Sequence, residues 1–187
     1  MRVIDEPLPG VRLMAPQVYE DHRGFFMESY NRRRLAELGI EDDFVQDNHS
    51  RSQRGVLRGL HYQVRQPQAK LVRVVRGRVF DVVVDIRRGS PTFGRWTGAE
   101  LSEENRLQLY APAGFAHGFV VLSEAAEFLY KCSEFYAADD ERGLPWNDPD
   151  LAIDWPLDGL EPTLSDRDRA WRPIAETAPH DLPEFRP

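Results

Sequence analysis

The sequence predicts an all-β protein, an antiparallel β-sandwich or barrel of jelly-roll type with a few short peripheral helices. Short runs rich in β-branched and aromatic residues recur at roughly ten-residue spacing. No amphipathic helix alternates with these runs, as a parallel sheet of βαβ units would require. The 14 prolines and 13 glycines supply turns between the runs. With 187 residues, the chain is expected to form one domain over residues 1–187.

The N-terminal quarter of the chain contains one helix signal. Residues 1–30 alternate apolar and polar side chains loosely between prolines and glycines. A short helix is expected over residues 32–38, with Asn31 as its N-cap and Gly39 just past its end.

Strand signals dominate the centre of the chain. The predicted strands cover residues 55–63, 71–75, 79–86, 107–110, 118–122 and 127–135. The tripeptide Arg76-Gly77-Arg78 is interpreted as a hairpin turn between two of them. After residue 137 the sequence predicts loops, a small polar helix at 165–170 and a loosely held tail at 173–187.

Composition excludes several classes of function. The net charge of −7 argues against bulk binding to nucleic acid or to an anionic membrane. No apolar run approaches 18 residues and the start of the chain is acidic and polar, so a cytoplasmic protein is expected. Cys132 is the single cysteine, which excludes an internal disulfide or a multi-cysteine metal site. The five histidines lack metal-ligand spacing, and no metal is predicted.

Positive charge is concentrated in one stretch. Residues 51–78 contain no acid and eight basic residues, Arg51, Arg54, Arg58, Arg65, Lys70, Arg73, Arg76 and Arg78. This pattern is typical of a solvated strand face. It also suits a local anion site, most plausibly for phosphate, because the guanidinium fork matches phosphate oxygens.

Two residues in predicted strands each have a structural and a catalytic interpretation. A lone strand histidine such as His61 is most often a hydrogen-bonded structural residue. A bulge at Gly59 could instead turn His61 and Arg58 towards one pocket as parts of a site. Tyr130 shares its strand face with Phe128, which favours a core tyrosine; its alternative is a general acid whose pKa a nearby cation or base lowers.

Two further residues allow similar alternatives. His117 lies between glycines at a strand entry, either in a tight turn with the ring exposed or where the backbone approaches a ligand closely. Asp168 lies three residues after Ser165, which fits a capping box at a helix start. It also fits a carboxylate that orients a distant histidine base.

Taken together, eight segments resemble the dTDP-4-dehydrorhamnose 3,5-epimerase family, between about Val3 and Arg172. The segments are His22-Arg-Gly-Phe-Phe-Met-Glu28, Gln46-Asp-Asn48, Gly55-Val-Leu-Arg-Gly-Leu-His-Tyr-Gln63, Lys70-Leu-Val-Arg-Val-Val-Arg-Gly77, Pro112-Ala-Gly-Phe-Ala-His-Gly-Phe119, Tyr130-Lys-Cys132, Glu141-Arg-Gly143 and Leu164-Ser-Asp-Arg-Asp168. The resemblance implies a cupin-type jelly roll that is dimeric, with residues 1–30 contributing to the dimer, and free of cofactors.

The resemblance also implies roles for four residues in inverting the carbons beside a ketone. His61 resembles the general base, Asp168 its dyad partner, and Tyr130 the general acid on the opposite face of the sugar ring. Lys70 resembles the cation that stabilises the enolate formed at the C4 carbonyl.

The remaining implied residues bind the substrate, a dTDP-4-keto-6-deoxyhexose. Those that match positions for the nucleotide, diphosphate or sugar are Arg23, Glu28, Gln46, Asp47, Asn48, Arg58, His117, Glu141 and Arg167. Tyr136 resembles an aromatic residue that lines the sugar pocket and influences how many centres are inverted.

Three other functions stay open from the sequence. The chain could invert a single centre of a related sugar, bind a sugar nucleotide without catalysis, or act as a metal-dependent cupin oxygenase or isomerase. A non-catalytic binding protein does not need the set of His61, Lys70, Tyr130 and Asp168.

Overall fold

The computed structural model describes residues 1–185, which form two antiparallel β-sheets packed face to face. The strands are β1 (Arg2–Leu8), β2 (Val11–Ala15), β3 (Val18–Asp21), β4 (Gly24–Met27), β5 (Gln46–Gln53), β6 (Leu57–Gln63), β7 (Lys70–Arg76), β8 (Arg78–Asp85), β9 (Trp96–Ser102), β10 (Gln108–Ala111), β11 (Phe115–Val121), β12 (Ala125–Cys132) and β13 (Glu141–Gly143). Two short α-helices are α1 (Arg32–Glu37) and α2 (Asp166–Arg169).

The strand order is that of a jelly roll. One sheet has the order β1-β2-β10-β7-β12-β5, and the other has β13-β6-β11-β8-β9. Strands β3 and β4 pair only with each other and form a separate hairpin. The predicted all-β, cupin-type jelly roll with short peripheral helices is confirmed.

The hairpin turn predicted at Gly77 is wrong. Strands β7 and β8 flank this residue but belong to different sheets, so the chain crosses the sandwich here. Gly77 has a φ of +74°, and a Cβ there would lie 2.1 Å from the carbonyl oxygen of Ala125. A tight crossing and a tight hairpin need the same residue type, because both need a positive φ.

An apolar layer fills one end of the space between the sheets. Side chains alternate along each strand, and the inward ones include Val72, Val79, Val83, Phe119 and Phe128, all at most 5% exposed. This core closes that end of the sandwich, so polar inward residues are left for the other end.

A second apolar layer covers the outer face of the five-stranded sheet. Leu60 and Val82 of the sheet pack there with Trp155 from the C-terminal loops. Ile174 and Leu182 join the same cluster, so the tail is held more firmly than the expected loose segment. The last two residues of that expected tail, 186 and 187, lie outside the described part of the chain.

The two helices begin where the sequence predicts. Asn31 Oδ1 accepts hydrogen bonds from the backbone N–H groups of Arg33 and Arg34 at the start of α1. Ser165 Oγ accepts from the backbone N–H of Asp168 at the start of α2. Within residues 1–185, no helix is long and apolar enough to cross a membrane.

Candidate active site

A bulge in β6 brings two polar residues to the same face of that strand. Arg58 and His61 are three residues apart on β6. The β11 residues that pair with them, Phe119 and His117, are only two residues apart. Gly59 lies inside this bulge with a φ of +122°, and a Cβ there would lie 2.6 Å from Gly118 Cα. Only glycine allows the two strands to approach this closely. The bulge predicted at Gly59 is confirmed.

The consequence is visible on both faces of β6. Leu57 and Leu60, on either side of the bulge, both pack into the outer apolar layer. Arg58 therefore points inward, where its Nε donates a 3.0 Å hydrogen bond to Ser52 Oγ on β5 of the opposite sheet. His61 follows Leu60 and takes the same inward face as Arg58.

His61 forms a short contact with Asp168 from the far end of the chain. His61 Nε2 and Asp168 Oδ1 are 2.6 Å apart, and Trp171 Nε1 donates to the same oxygen at 3.4 Å. Burial works to raise the pKa of Asp168, but hydrogen bonds from His61, Ser165 and Trp171 outweigh it and lower that pKa. An ionised carboxylate can only accept. His61 therefore donates its Nε2 proton and keeps Nδ1 as its basic atom.

Lys70 enters the same space from the opposite sheet. It opens β7 and is nine-tenths buried, and its Nζ donates to the backbone carbonyl of His61 at 3.5 Å. Burial lowers the pKa of this ammonium group, and the nearby Cys132, Glu141 and Asp81 groups oppose that shift. A buried ammonium whose described hydrogen bond is this long one is suited to a developing negative charge nearby.

Tyr130 lies beside Lys70 on the same sheet, directly opposite Val72 of β7. Its ring packs against Phe128 at 5.9 Å between centroids, which agrees with the shared strand face. Burial raises the pKa of the Tyr130 hydroxyl, and the nearby cation Arg58 only partly offsets this. Arg58 is thus the nearby cation that lowers this pKa, but burial outweighs it, and Tyr130 keeps its proton near neutral pH.

Strand β5 contributes amides to the inner face and an acid to the outer face. Gln46 Nε2 donates to Asn48 Oδ1 at 3.0 Å, and Asn48 Nδ2 donates to Cys132 Sγ at 3.6 Å. Asp47, between them, points the other way and accepts from Lys131 Nζ at 2.7 Å. The structure therefore groups Gln46 and Asn48 with Tyr130 and leaves the Asp47 side chain behind the sheet.

Three of the predicted residues form a cluster of their own. Tyr136 Oη donates to Glu141 Oε2 at 3.0 Å, and Arg167 donates to both residues. The backbone N–H of Tyr136 also donates to Gln46 Oε1 at 2.9 Å. The Tyr136 side chain is about half exposed, so the cluster lies at the surface next to the inner residues of β5.

Other predicted residues lie apart from His61 or beneath it. His117 is buried and bonded to Asp81, so the interpretation as an exposed turn residue is wrong. Arg23 is exposed on the β3–β4 hairpin and pairs with Asp21. Glu28 pairs with Arg34 of α1. Neither Arg23 nor Glu28 makes a described polar contact with the residues around His61 or Tyr136.

Asp81 was missed from the sequence. It lies in the middle of β8 and is completely buried. An ionisable acid inside the apolar run Val79-Phe-Asp-Val-Val-Val84 is costly to bury, and that signal could have marked it. No group of three or more His, Cys, Asp or Glu side chains within residues 1–185 is arranged to hold a metal ion.

Comparison with known proteins assigns the chain to a family. A family model described as dTDP-4-dehydrorhamnose 3,5-epimerase matches residues 5–176. The chain belongs to that epimerase family. The dTDP-4-dehydrorhamnose 3,5-epimerase of Pseudomonas aeruginosa is 61% identical over 170 residues, which cover 90% of this chain and 93% of that protein.

Solved structures agree with the family. A dTDP-6-deoxy-D-glucose-3,5-epimerase of Legionella pneumophila, in complex with dTDP-4-keto-L-rhamnose, superposes with a TM-score of 0.97 at 51% identity, covering 100% of this chain and 99% of that one. A 3'-monoepimerase of Streptomyces bikiniensis, in complex with dTDP-quinovose, superposes at 0.87 and 39% identity, covering 94% and 89%. The epimerase fold thus occurs in enzymes named for one or for two inverted centres.

Proposed function

We propose that this chain inverts C3 and C5 of dTDP-4-dehydro-6-deoxy-D-glucose and so produces dTDP-4-dehydro-L-rhamnose. The observation that carries the proposal is the His61–Asp168 pair, which shares the interior of the sandwich with Lys70 and Tyr130. The similarity to 3,5-epimerases over most of the chain supports the substrate.

The chemistry follows from the C4 ketone. Protons on C3 and C5 are acidic because each carbanion delocalises onto the ketone oxygen. In the proposed step His61 Nδ1 takes one of these protons, and the C–H electron pair forms the enolate, whose charge resides on O4. The Lys70 ammonium group stabilises that oxygen. Tyr130 Oη then donates a proton to the opposite face of the carbon. The Tyr130 phenolate takes a proton from solvent and the His61 imidazolium releases its proton to solvent, which restores both groups.

The reaction needs no redox cofactor, because substrate and product are isomers. Asp168 holds the His61 ring in the tautomer that leaves Nδ1 basic, and it stabilises the imidazolium that forms. The raised pKa of Tyr130 suits this scheme, since a general acid must hold its proton until the enolate is present.

The substrate-binding roles of the remaining residues are proposed from the resemblance to the family. On the inner face or at the neighbouring surface, Arg58, Gln46, Asn48, Tyr136, Glu141 and Arg167 would hold the diphosphate and sugar. Asp47 and His117 are part of the same proposal, although the Asp47 side chain lies behind the sheet and His117 is buried.

Arg23 and Glu28 fit the proposal only if a second copy supplies them. The β3–β4 hairpin that carries Arg23 exposes Tyr19, Phe25 and Phe26, each more than half exposed. We propose a homodimer in which this hairpin of one copy completes the site of the other. Because the single thiol is buried and free, we place the activity in the reducing cytoplasm.

The test of function is deuterium exchange followed by NMR. The chain is incubated in D₂O with dTDP-4-keto-6-deoxyglucose, and deuterium at C3 and C5 is measured. Label at both carbons with inverted configuration is expected. Label at one carbon supports the second candidate, a single-centre epimerase, which the similarity to the Streptomyces bikiniensis monoepimerase favours. No label from a preparation that binds dTDP supports a binding protein.

The dimer has its own test, a complementation of inactive variants. Arg23→Ala and His61→Asn are each expected to be poorly active alone. Mixed dimers of the two variants would contain one site with both native residues, so mixing should restore up to about a quarter of the wild-type rate. No recovery after verified subunit exchange would contradict the shared site.

A further inference from the structure

Strand β8 carries a buried acid that the scheme above does not use. Asp81 lies on the inward face between Val79 and Val83, both of which belong to the apolar core. Its exposure is 0%. An ionised carboxylate in such a place requires a compensating positive charge, because burial strongly disfavours the charged form.

The described partners of Asp81 are few. His117 Nε2 contacts both carboxylate oxygens, at 3.0 and 2.9 Å. Burial raises the pKa of Asp81, and His117 and the charge of Lys70 offset only part of that rise. His117 is paired directly with His61 across β11 and β6, and the His61 carbonyl accepts from Lys70. Asp81, His117 and Lys70 therefore belong to one buried polar group.

The groups around Lys70 come from several strands. The His61 carbonyl of β6 accepts from Lys70 Nζ, and Cys132 of β12 lies directly opposite Lys70. The charges of Glu141 from β13 and Asp81 from β8 raise the pKa of Lys70 against its burial. The carboxylates among them are Glu141 and Asp81. Glu141 is already paired with Arg167 and bonded by Tyr136. Among residues 1–185, Asp81 has a single hydrogen-bond partner, His117, which can serve as a neutral ring.

A second acid on the same strand provides a contrast. Asp85 is also completely buried, but Arg87 Nη2 lies 2.7 Å from it, and Ser90 and Thr92 donate to the same carboxylate. The local fold therefore accounts for the charge of Asp85. For Asp81, the described groups that oppose the effect of burial are His117 and Lys70.

We propose that Asp81, held by His117, is a positioning residue whose buried negative charge keeps Lys70 in its ammonium form next to the enolate oxygen. The inference rests on the proposed function of Lys70. It assigns a role to a residue that would not touch the substrate. Without this carboxylate, desolvation would favour a neutral amine, which could not stabilise the enolate.

The first experiment is the pH profile of deuterium exchange at C3 for the wild type and Asp81→Asn. Lys70 is active when protonated, so activity is lost as the pH rises through its pKa. Removal of a nearby negative charge lowers that pKa, and the alkaline limb should move to lower pH by about 1–3 units. Asp85→Asn is the matched control, because it removes a buried carboxylate from the same strand and should leave the limb in place.

Two outcomes would overturn the inference. One is an equal loss of rate at every pH in Asp81→Asn, which is what a structural role or an Asp81 protonated at working pH would give. The other is the same shift of the limb in Asp85→Asn. Lys70→Arg gives a further check, since a guanidinium stays protonated. In that background Asp81→Asn should no longer move the limb.

A stability cycle keeps the inference testable if Asp81→Asn has too little activity. Lys70→Met and Asp81→Asn should each lower the denaturant midpoint, and the double variant should lose clearly less than the two losses combined. Additive losses would contradict the pairing. This cycle does not depend on turnover, so it distinguishes failure of the charge pair from failure of the epimerase function.

Discussion

The two histidine–aspartate pairs of this protein use the same groups in different settings. His61 and His117 face each other on neighbouring strands, and each Nε2 contacts an aspartate at hydrogen-bond distance. The His61 side chain is 21% exposed and the His117 side chain only 7%. Asp168 lies in helix α2 near the end of the chain, whereas Asp81 lies in β8, which pairs with the strand of His117.

The difference shows that a histidine–aspartate pair is not a catalytic device by itself. Hydrogen bonds lower the pKa of Asp168 against its burial, while burial raises the pKa of Asp81 in spite of His117. The first pair keeps an ionised acid beside a ring that reaches the exterior. The second is enclosed in the core and can act only through its charge.

The largest expected effect is a loss of the deuterium-exchange rate when the base of the His61–Asp168 pair is removed. His61→Asn removes the base but keeps an amide that can hydrogen-bond Asp168. Deuterium exchange at C3 should fall by about 10²–10⁴-fold. A thermal unfolding midpoint close to the wild-type value is the control for folding. A variant that keeps most of its exchange rate would mean that His61 is structural.

The second prediction compares how much each histidine–aspartate pair contributes to the free energy of unfolding. His117→Ala leaves the Asp81 carboxylate buried without its partner, so the free energy of unfolding should fall by about 3–5 kcal/mol. His61→Ala removes one hydrogen bond to a charged group at a partly exposed site and should cost about 1.5–3 kcal/mol. Denaturant unfolding of both variants measures the difference. Equal losses would contradict the comparison.

The third prediction concerns the orientation of the His61 ring. Asp168→Asn should reduce exchange at C3 by less than His61→Asn does, because the base remains but its favoured tautomer is lost. The pH profile should change along with the rate, which loss of a helix residue alone would not cause. An unchanged exchange rate and pH profile would mean that Asp168 is only a structural residue at the start of α2.

The smallest effect is a difference in the pH dependence of stability. The lowered pKa of Asp168 contributes stability above the unfolded-state pKa of about 3.9, and this is lost as the pH falls through the folded-state value. The raised pKa of Asp81 has the opposite sign, so its ionisation costs stability as the pH rises. Unfolding of Asp168→Asn and Asp81→Asn from pH 2 to 7 should therefore show opposite trends relative to the wild type.

Local signals predicted the parts of the structure that depend on neighbouring residues. Asn31 and Ser165 cap their helices, and Gly59 marks the bulge, because each effect involves a few residues of backbone geometry. Strand β5 was not predicted. Its sequence, Gln-Asp-Asn-His-Ser-Arg-Ser-Gln, is polar on both faces, so it lacks the apolar alternation of a half-buried strand.

The sequence by itself determined the strand periodicity, the two helix caps, the bulge and, through its motifs, the family to which the residues around His61 point. The tertiary structure decided that β7 and β8 lie in different sheets, and that residues 107 positions apart in the chain, His61 and Asp168, are in contact. It also decided which histidine is enclosed and which reaches the exterior. Exposure and charge compensation depend on every element packed around a side chain, and no local stretch of sequence contains that information.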